Sequence, residues 1–159
     1  MTDISRVTGP MTMVTDRLHF DTKGNADIVK LTPEIQVFIT RSGLSQGSLT
    51  VFMPGATGAI TTLEFEPGVV QDFSRLFDQI APIQQHYEHN VSHLDHNGHA
   101  HVRAGLLGPS LVLPFQDGKL CLGTWQDVCF VCFDNEPRHR TVIVQAVGVA
   151  PDPTDTPTA

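Results

Sequence analysis

Short apolar runs, each closed off by glycine, proline, asparagine or aspartate, recur along this chain from Arg17 to Gly148. That punctuation is the strongest constraint on the fold, because runs of roughly four to eight such residues suit strands and are too short for most helices. The segments RLHFDT, DIVKLT, EIQVFIT, SLTVFM, SLVLP, KLCLG, QDVCFVCF and TVIVQAVG all read as strands. In EIQVFIT, which follows Pro33, the residues Ile35, Val37 and Ile39 share one face at a period of two. QDVCFVCF is apolar almost throughout, as expected of a central strand buried on both faces. Asp117-Gly118 is a strong turn dipeptide and predicts a hairpin from SLVLP to KLCLG.

One stretch follows the other period. In EFEPGVVQDFSRLFDQIAP, the residues Val69, Phe73, Leu76, Phe77 and Ile80 make a single stripe at helical spacing. Pro67 suits a first helical turn, and Glu64 and Glu66 precede it where acidic groups favour the positive end of the helix dipole. HVRAGLLG reads as a second, short helix stopped by Gly108 and Pro109. Many short strands with one or two helices predict an α+β protein, mainly β. The expected architecture is an antiparallel β-sandwich with the helices packed on one side. A single domain is expected over residues 1–148, with 1–15 a loose lead-in and 149–159 a disordered, proline-rich tail.

Charge and cysteine content narrow the function. The formal net charge is −7 and no block of Lys or Arg occurs, which argues against a nucleic-acid partner. No apolar run is long enough for a membrane span. Three cysteines, Cys121, Cys129 and Cys132, are an odd number and predict no disulfide framework, so a reducing cytoplasm is the expected compartment. On a strand, Cys129 and Cys132 face opposite ways and read as packing residues.

HYEHNVSHLDHNGHAH, residues 86–101, holds six of the eight histidines. Neutral imidazole is the commonest protein metal ligand and a ready proton carrier near neutral pH. Neither paired cysteines nor His-Glu-x-x-His accompany the cluster, so no standard zinc motif is present. On an extended backbone His99 and His101 point to one side and can share an ion; on a helix they lie about 200° apart and cannot easily do so. His89 or an acidic group is the expected third ligand, with a water as fourth. Elsewhere, the Gly/Thr-rich PGATGAITT, which includes Thr57, offers backbone N–H groups to an anion but lacks a phosphate loop's Gly-Lys. Arg103, Arg138 and Arg140 are the cations nearest the polar segments and candidates for a phosphate or carboxylate.

GAITTLEFEPG, YEHN, NGHAHVRAGLLGPSLVLPFQDGKLCLGTWQ and FDNEPRHR resemble the YjbQ-like family over residues 45–148. The resemblance implies a jelly-roll type β-sandwich assembled as a homotrimer. It places the family's polar positions on Glu64, His89, His99, His101, Ser110, Trp125, Gln126 and Arg138. It implies a histidine site holding a metal such as zinc, and a weak thiamine-phosphate-synthase-like activity on phosphorylated heterocycles. On that reading Glu64, His89 and His101 are catalytic, and His89, His99 and His101 bind the metal. Thr57, Arg103, Ser110, Trp125, Gln126 and Arg138 then contact the substrate. Two departures stand out: Cys132 occupies a position usually acidic, and SHLDH stands where relatives often carry a tryptophan. A non-catalytic metal- or metabolite-binding oligomer, and a histidine network that only stabilises assembly, compete with the enzyme reading.

Overall fold

A computed structural model describes residue 4 and residues 6–151. Two antiparallel sheets face each other. The first has the order β1-β8-β3-β5-β6, built from Thr12–Thr22, Arg138–Val149, Gln46–Phe52, Ser110–Gln116 and Lys119–Leu120. The second is β2-β7-β4, from Asp27–Lys30, Asp127–Cys132 and Gly58–Leu63. Leu49, Val51, Val142 and Val144 of the first sheet meet Ile60, Val128, Phe130 and Cys132 of the second in one buried cluster. β7 is the central strand of its sheet and is buried on both faces, as its unbroken apolar run predicts.

The other face of the second sheet carries Ile28, Ala59, Cys129, Val131 and Phe133, under α2 (Pro67–Ile80) and α4 (Gly98–Leu107). Cys129 and Cys132 therefore serve two different cores, as their strand spacing requires. Burial pushes the Cys129 thiol up to about 12, which suits a packing role. The antiparallel sandwich is the architecture expected, with α2 and α4 on one side; four helices stand among the described residues where one or two are expected, and α1 (Thr32–Ser42) buries its apolar residues in the cluster between the sheets. No helix among the described residues is long and apolar enough to cross a membrane.

Three elements differ from the sequence reading. EIQVFIT lies in a helix, α1 (Thr32–Ser42), which buries Ile35, Phe38 and Ile39 and leaves Val37 56 % exposed. The run satisfies both periods, and its end signals decide: Pro33 in the first turn, Arg41 in the last, then Gly43 at φ 71°. The lead-in expected over 1–15 ends earlier, because β1 already pairs Thr12 with Gly148 and continues in register to Thr22 and Arg138. Its inward positions alternate Val14, Leu18 and Phe20 with Asp16, which breaks the apolar period. At the other end β8 runs through Val149, so the tail begins later, and residues 152–159 lie outside the described residues.

Two local predictions hold in detail. The hairpin pairs Phe115 with Leu120 and Gln116 with Lys119, and Asp117 and Gly118 take φ of 51° and 68°. Both central residues are left-handed, the type I′ geometry that matches strand twist. At the start of α2, Pro67 occupies the first turn, and the Glu66 carboxylate accepts from Gly68 N–H at 2.7 Å and Val69 N–H at 2.5 Å. Glu66→Ala is expected to cost about 1 kcal/mol of stability, read as a lower urea midpoint at unchanged slope.

Candidate functional site

The histidine stretch folds as two helices packed closely. α3 (Glu88–Ser92) runs into an extended His93, a turn with His96 at φ 50°, and then α4. Gly98 makes the approach possible: a Cβ there would lie 2.6 Å from Tyr87 Cβ and 2.9 Å from Asn90 Oδ1. The Asn90 side chain accepts from Gly98 N–H at 2.9 Å, and the Tyr87 hydroxyl donates to Pro82 O at 2.8 Å. These contacts tie α3 to the first turn of α4 and to the segment after α2.

The packing brings His89 against His101, with ring centroids 4.4 Å apart, and Asp95 beside them, its Oδ1 3.3 Å from His89 Nε2. One donor atom from each of His89, Asp95 and His101 lies within 4.8 Å of the other two. Two imidazoles and one carboxylate on one side of a possible ion leave further coordination positions open. That donor set suits zinc, and equally a facial-triad iron site. The His93 ring stacks parallel on His89 at 4.4 Å.

His99 is not part of this trio. Residues 98–107 are helical, so His99 and His101 leave the axis in different directions. Of the expected His89, His99 and His101, the structure brings His89 and His101 together, with Asp95 beside them in place of His99. His99 is 1 % exposed, and neither ring nitrogen has a hydrogen-bond partner. Burial, reinforced by the Arg103 guanidinium, holds its pKa below the ordinary histidine range, so the ring is neutral. Asn97 Oδ1 is likewise buried without a partner.

A second polar cluster adjoins the first. Arg138 donates from Nε and Nη2 to the two Asp134 oxygens at 3.1 and 3.3 Å, and the Thr57 hydroxyl donates to Asp134 Oδ2 at 2.9 Å. Burial opposes ionisation of Asp134, but the bonds from Arg138 and Thr57 outweigh it and hold the carboxyl below its usual range. Arg140 Nη2 lies 3.1 Å from both Thr57 Oγ1 and Cys132 Sγ. The next residue, Asn135, donates to Asp95 O at 2.7 Å, which fastens this loop to the loop carrying the carboxylate of the trio.

The other expected substrate contacts do not converge here. Arg103 is 1 % exposed and its guanidinium is spent on Ala81 O and on Asp78 at 2.8 Å, so it holds the end of α2 and no ligand. Ser110 lies on the solvent face of the first sheet, in a shallow depression of about 340 Å³ with Thr50, Phe52, Ile143 and Gln145. Trp125 is 72 % exposed, and Gln126 braces a turn through Gly123 N–H and Thr62 Oγ1. Glu64 is exposed after β4 and outside the convergent trio. A broader concavity of about 930 Å³, lined by Thr8, Gly9, Leu44, Ser45 and Asp117, shares no residue with either cluster.

Residues 16–149 match the family described as UPF0047 protein YjbQ-like. The chain belongs to that family. A YjbQ-like relative from Archaeoglobus fulgidus is 37 % identical over 131 residues, covering 82 % of this chain and 98 % of its own. YugU of Bacillus subtilis is 32 % identical, with 82 % and 97 % covered. Among solved structures, a YjbQ-like protein of unknown function from Sulfolobus solfataricus superposes with a TM-score of 0.83 at 29 % identity. It covers 87 % of this chain and 99 % of its own.

Proposed function

We propose that this YjbQ-like chain is a metal-assisted enzyme acting on a small phosphorylated substrate, with His89, Asp95 and His101 as the metal ligands. The convergence of those three donor atoms carries the reading. Zinc or a similar divalent ion held there supplies Lewis-acid polarisation of a phosphoryl oxygen. The chain's own groups supply the rest. Arg138, the more exposed of the two arginines beside Asp134, would bind an anionic group of the substrate, as the resemblance implies, while Thr57 holds the Asp134 carboxylate. The family resemblance makes joining a pyrimidine pyrophosphate to a thiazole phosphate the first reaction to test. Pyrophosphate departure is a step that a cation and fixed arginines favour. The same resemblance supports a homotrimer, and the cysteine content a cytoplasmic setting.

Elemental analysis of the untagged chain is the direct test. About one divalent ion per chain is expected, lost in Asp95→Ala. The metal-loaded chain should turn over members of a panel of phosphorylated metabolites, and Asp95→Ala should not. Absence of metal after purification and after add-back overturns the metal centre. A stable stoichiometric ion with no turnover across the panel leaves a binding module in place of an enzyme.

A further inference from the structure

Among the described residues, four non-glycine residues have a positive φ: Asn25 at 52°, Ala26 at 62°, His96 at 50° and Asp117 at 51°. Asp117 is accounted for by its type I′ hairpin turn. The other three lie at the two ends of one chain of contacts through the loop after β7. Gly24, at φ 87°, Asn25 and Ala26 make three consecutive left-handed residues between β1 and β2. Asparagine tolerates that region, but the Cβ of alanine makes it costly, so Ala26 stays there only because its surroundings hold it. Its side chain is buried in the cluster with Ala59 and Phe133. Thr22 pairs with Arg138 and Asp27 with Cys132, so the turn and the loop 133–137 cross between the sheets side by side. Asn25 N–H donates to Asp134 O at 2.6 Å. A Cβ on Gly24 would lie 2.7 Å from Asp134 O and 2.9 Å from Glu136 O, so only glycine lets the two segments come this close. From the same loop Asn135 donates to Asp95 O at 2.7 Å, and His96, the third left-handed residue, follows directly.

We infer that the left-handed turn Gly24–Ala26 braces the metal centre, with Asn135 as the positioning residue that carries its hold to Asp95. Backbone in disfavoured conformations persists where the surrounding structure over-determines it, and such residues gather at sites that need a fixed geometry. The need here is specific. His89 and His101 stand on helices, α3 and α4, whereas Asp95 is the one member of the trio on an irregular segment. Ligands on loops are held less precisely than ligands on helices, so the carboxylate needs support from outside its own segment. The brace supplies it from the backbone of 134–136, which β7 and β8 fix at either end. The inference rests on the proposed function in taking His89, Asp95 and His101 as ligands; the contacts themselves stand without the metal.

Zinc ion alone is the probe, titrated into the chelator-treated full chain against a competing chelator. Tm and the amide exchange of residues 93–98 are measured on the same metal-free samples. Asn135→Ala cuts the link and should weaken zinc binding by about tenfold or more. Gly24→Ala drives a Cβ into the backbone of 134–136, so it should lower Tm and weaken zinc binding by about the same factor. The double variant decides. If the turn acts through Asn135, adding Gly24→Ala to Asn135→Ala lowers Tm further but leaves zinc affinity where Asn135→Ala put it. Losses of affinity that multiply, or lowered Tm with unchanged zinc affinity in Gly24→Ala, overturn the brace. If Gly24→Ala does not fold, Ala26→Gly takes its place in the single and double variants, because it frees the turn and adds no atom. A wild-type chain that takes up no zinc sinks the metal centre alone, and exchange then decides the brace. Faster exchange of residues 93–98 in both single variants, and no faster in the double, supports it; unchanged exchange overturns it.

Discussion

Arg103→Ala is expected to lower the unfolding free energy by about 3 kcal/mol, the largest stability loss among the polar residues near the site. The guanidinium donates from Nε and Nη2 to Ala81 O at 2.9 and 2.8 Å, and from Nη2 to Asp78 at 2.8 Å. Ala81 is 3 % exposed, so truncating Arg103 leaves its carbonyl without solvent as a substitute. The aliphatic stem is also buried, and its removal opens a cavity. The Asp78 ion pair contributes little of the total, because Asp78 is 57 % exposed. Arg103→Met keeps most of the volume and loses the donors, so it should cost about half as much. Urea denaturation of the two variants separates packing from hydrogen bonding. A ligand-holding Arg103 would give the reverse pattern, with near-wild-type stability and lost substrate affinity.

Why Arg103 misleads in the sequence is instructive. An arginine two residues beyond a histidine pair looks like a phosphate holder, and nothing local shows that its partner is the carbonyl ending α2, 22 residues earlier. Long-range partners of this kind leave no periodic trace. Where the determining contacts are local, the chain is legible: Asp117-Gly118 specifies its turn, Glu66-Pro67 starts α2, and the apolar run of β7 announces burial on both faces. α1 was ambiguous because Ile35, Val37 and Ile39 fit a strand while Ile35, Phe38 and Ile39 fit a helix; Gly43 was the arbiter. The first residues of β1 do not read as strand because Asp16 interrupts the inward face. The site follows the same rule. The histidine stretch is conspicuous in the sequence, and the helical backbone of residues 98–107 separates His99 from His101. An acidic group is among the expected third ligands, but the sequence does not single out Asp95. It becomes a ligand candidate only because Gly98 lets α3 and α4 close to contact, and that is a steric fact about Tyr87 and Asn90.

His101→Ala and His99→Leu should therefore separate cleanly, although the residues stand two apart. His101→Ala removes one of three convergent donors and should lower metal affinity by more than the roughly 10–100-fold seen when outer-shell groups are lost. His99→Leu should keep the ion. It should also leave stability near or above wild type at neutral pH, because an apolar side chain replaces two buried ring nitrogens that have no partner. The difference between wild type and His99→Leu should grow on acidification. The unfolded chain takes up a proton on His99 near pH 6.5, while burial and Arg103 keep the folded ring from doing so until lower pH. The neutral ring's contribution is thus fully present above about pH 6.5 and is lost as pH falls toward the folded value. The loss has a limiting slope of about 1.4 kcal/mol per pH unit. Denaturant midpoints of chelator-treated protein, measured from pH 7.5 down to about 5, should fall more steeply for wild type than for His99→Leu. Superimposable profiles would mean that His99 is solvated and that its nitrogens are paired. Metal loss in His99→Leu equal to that in His101→Ala would return His99 to the ligand set.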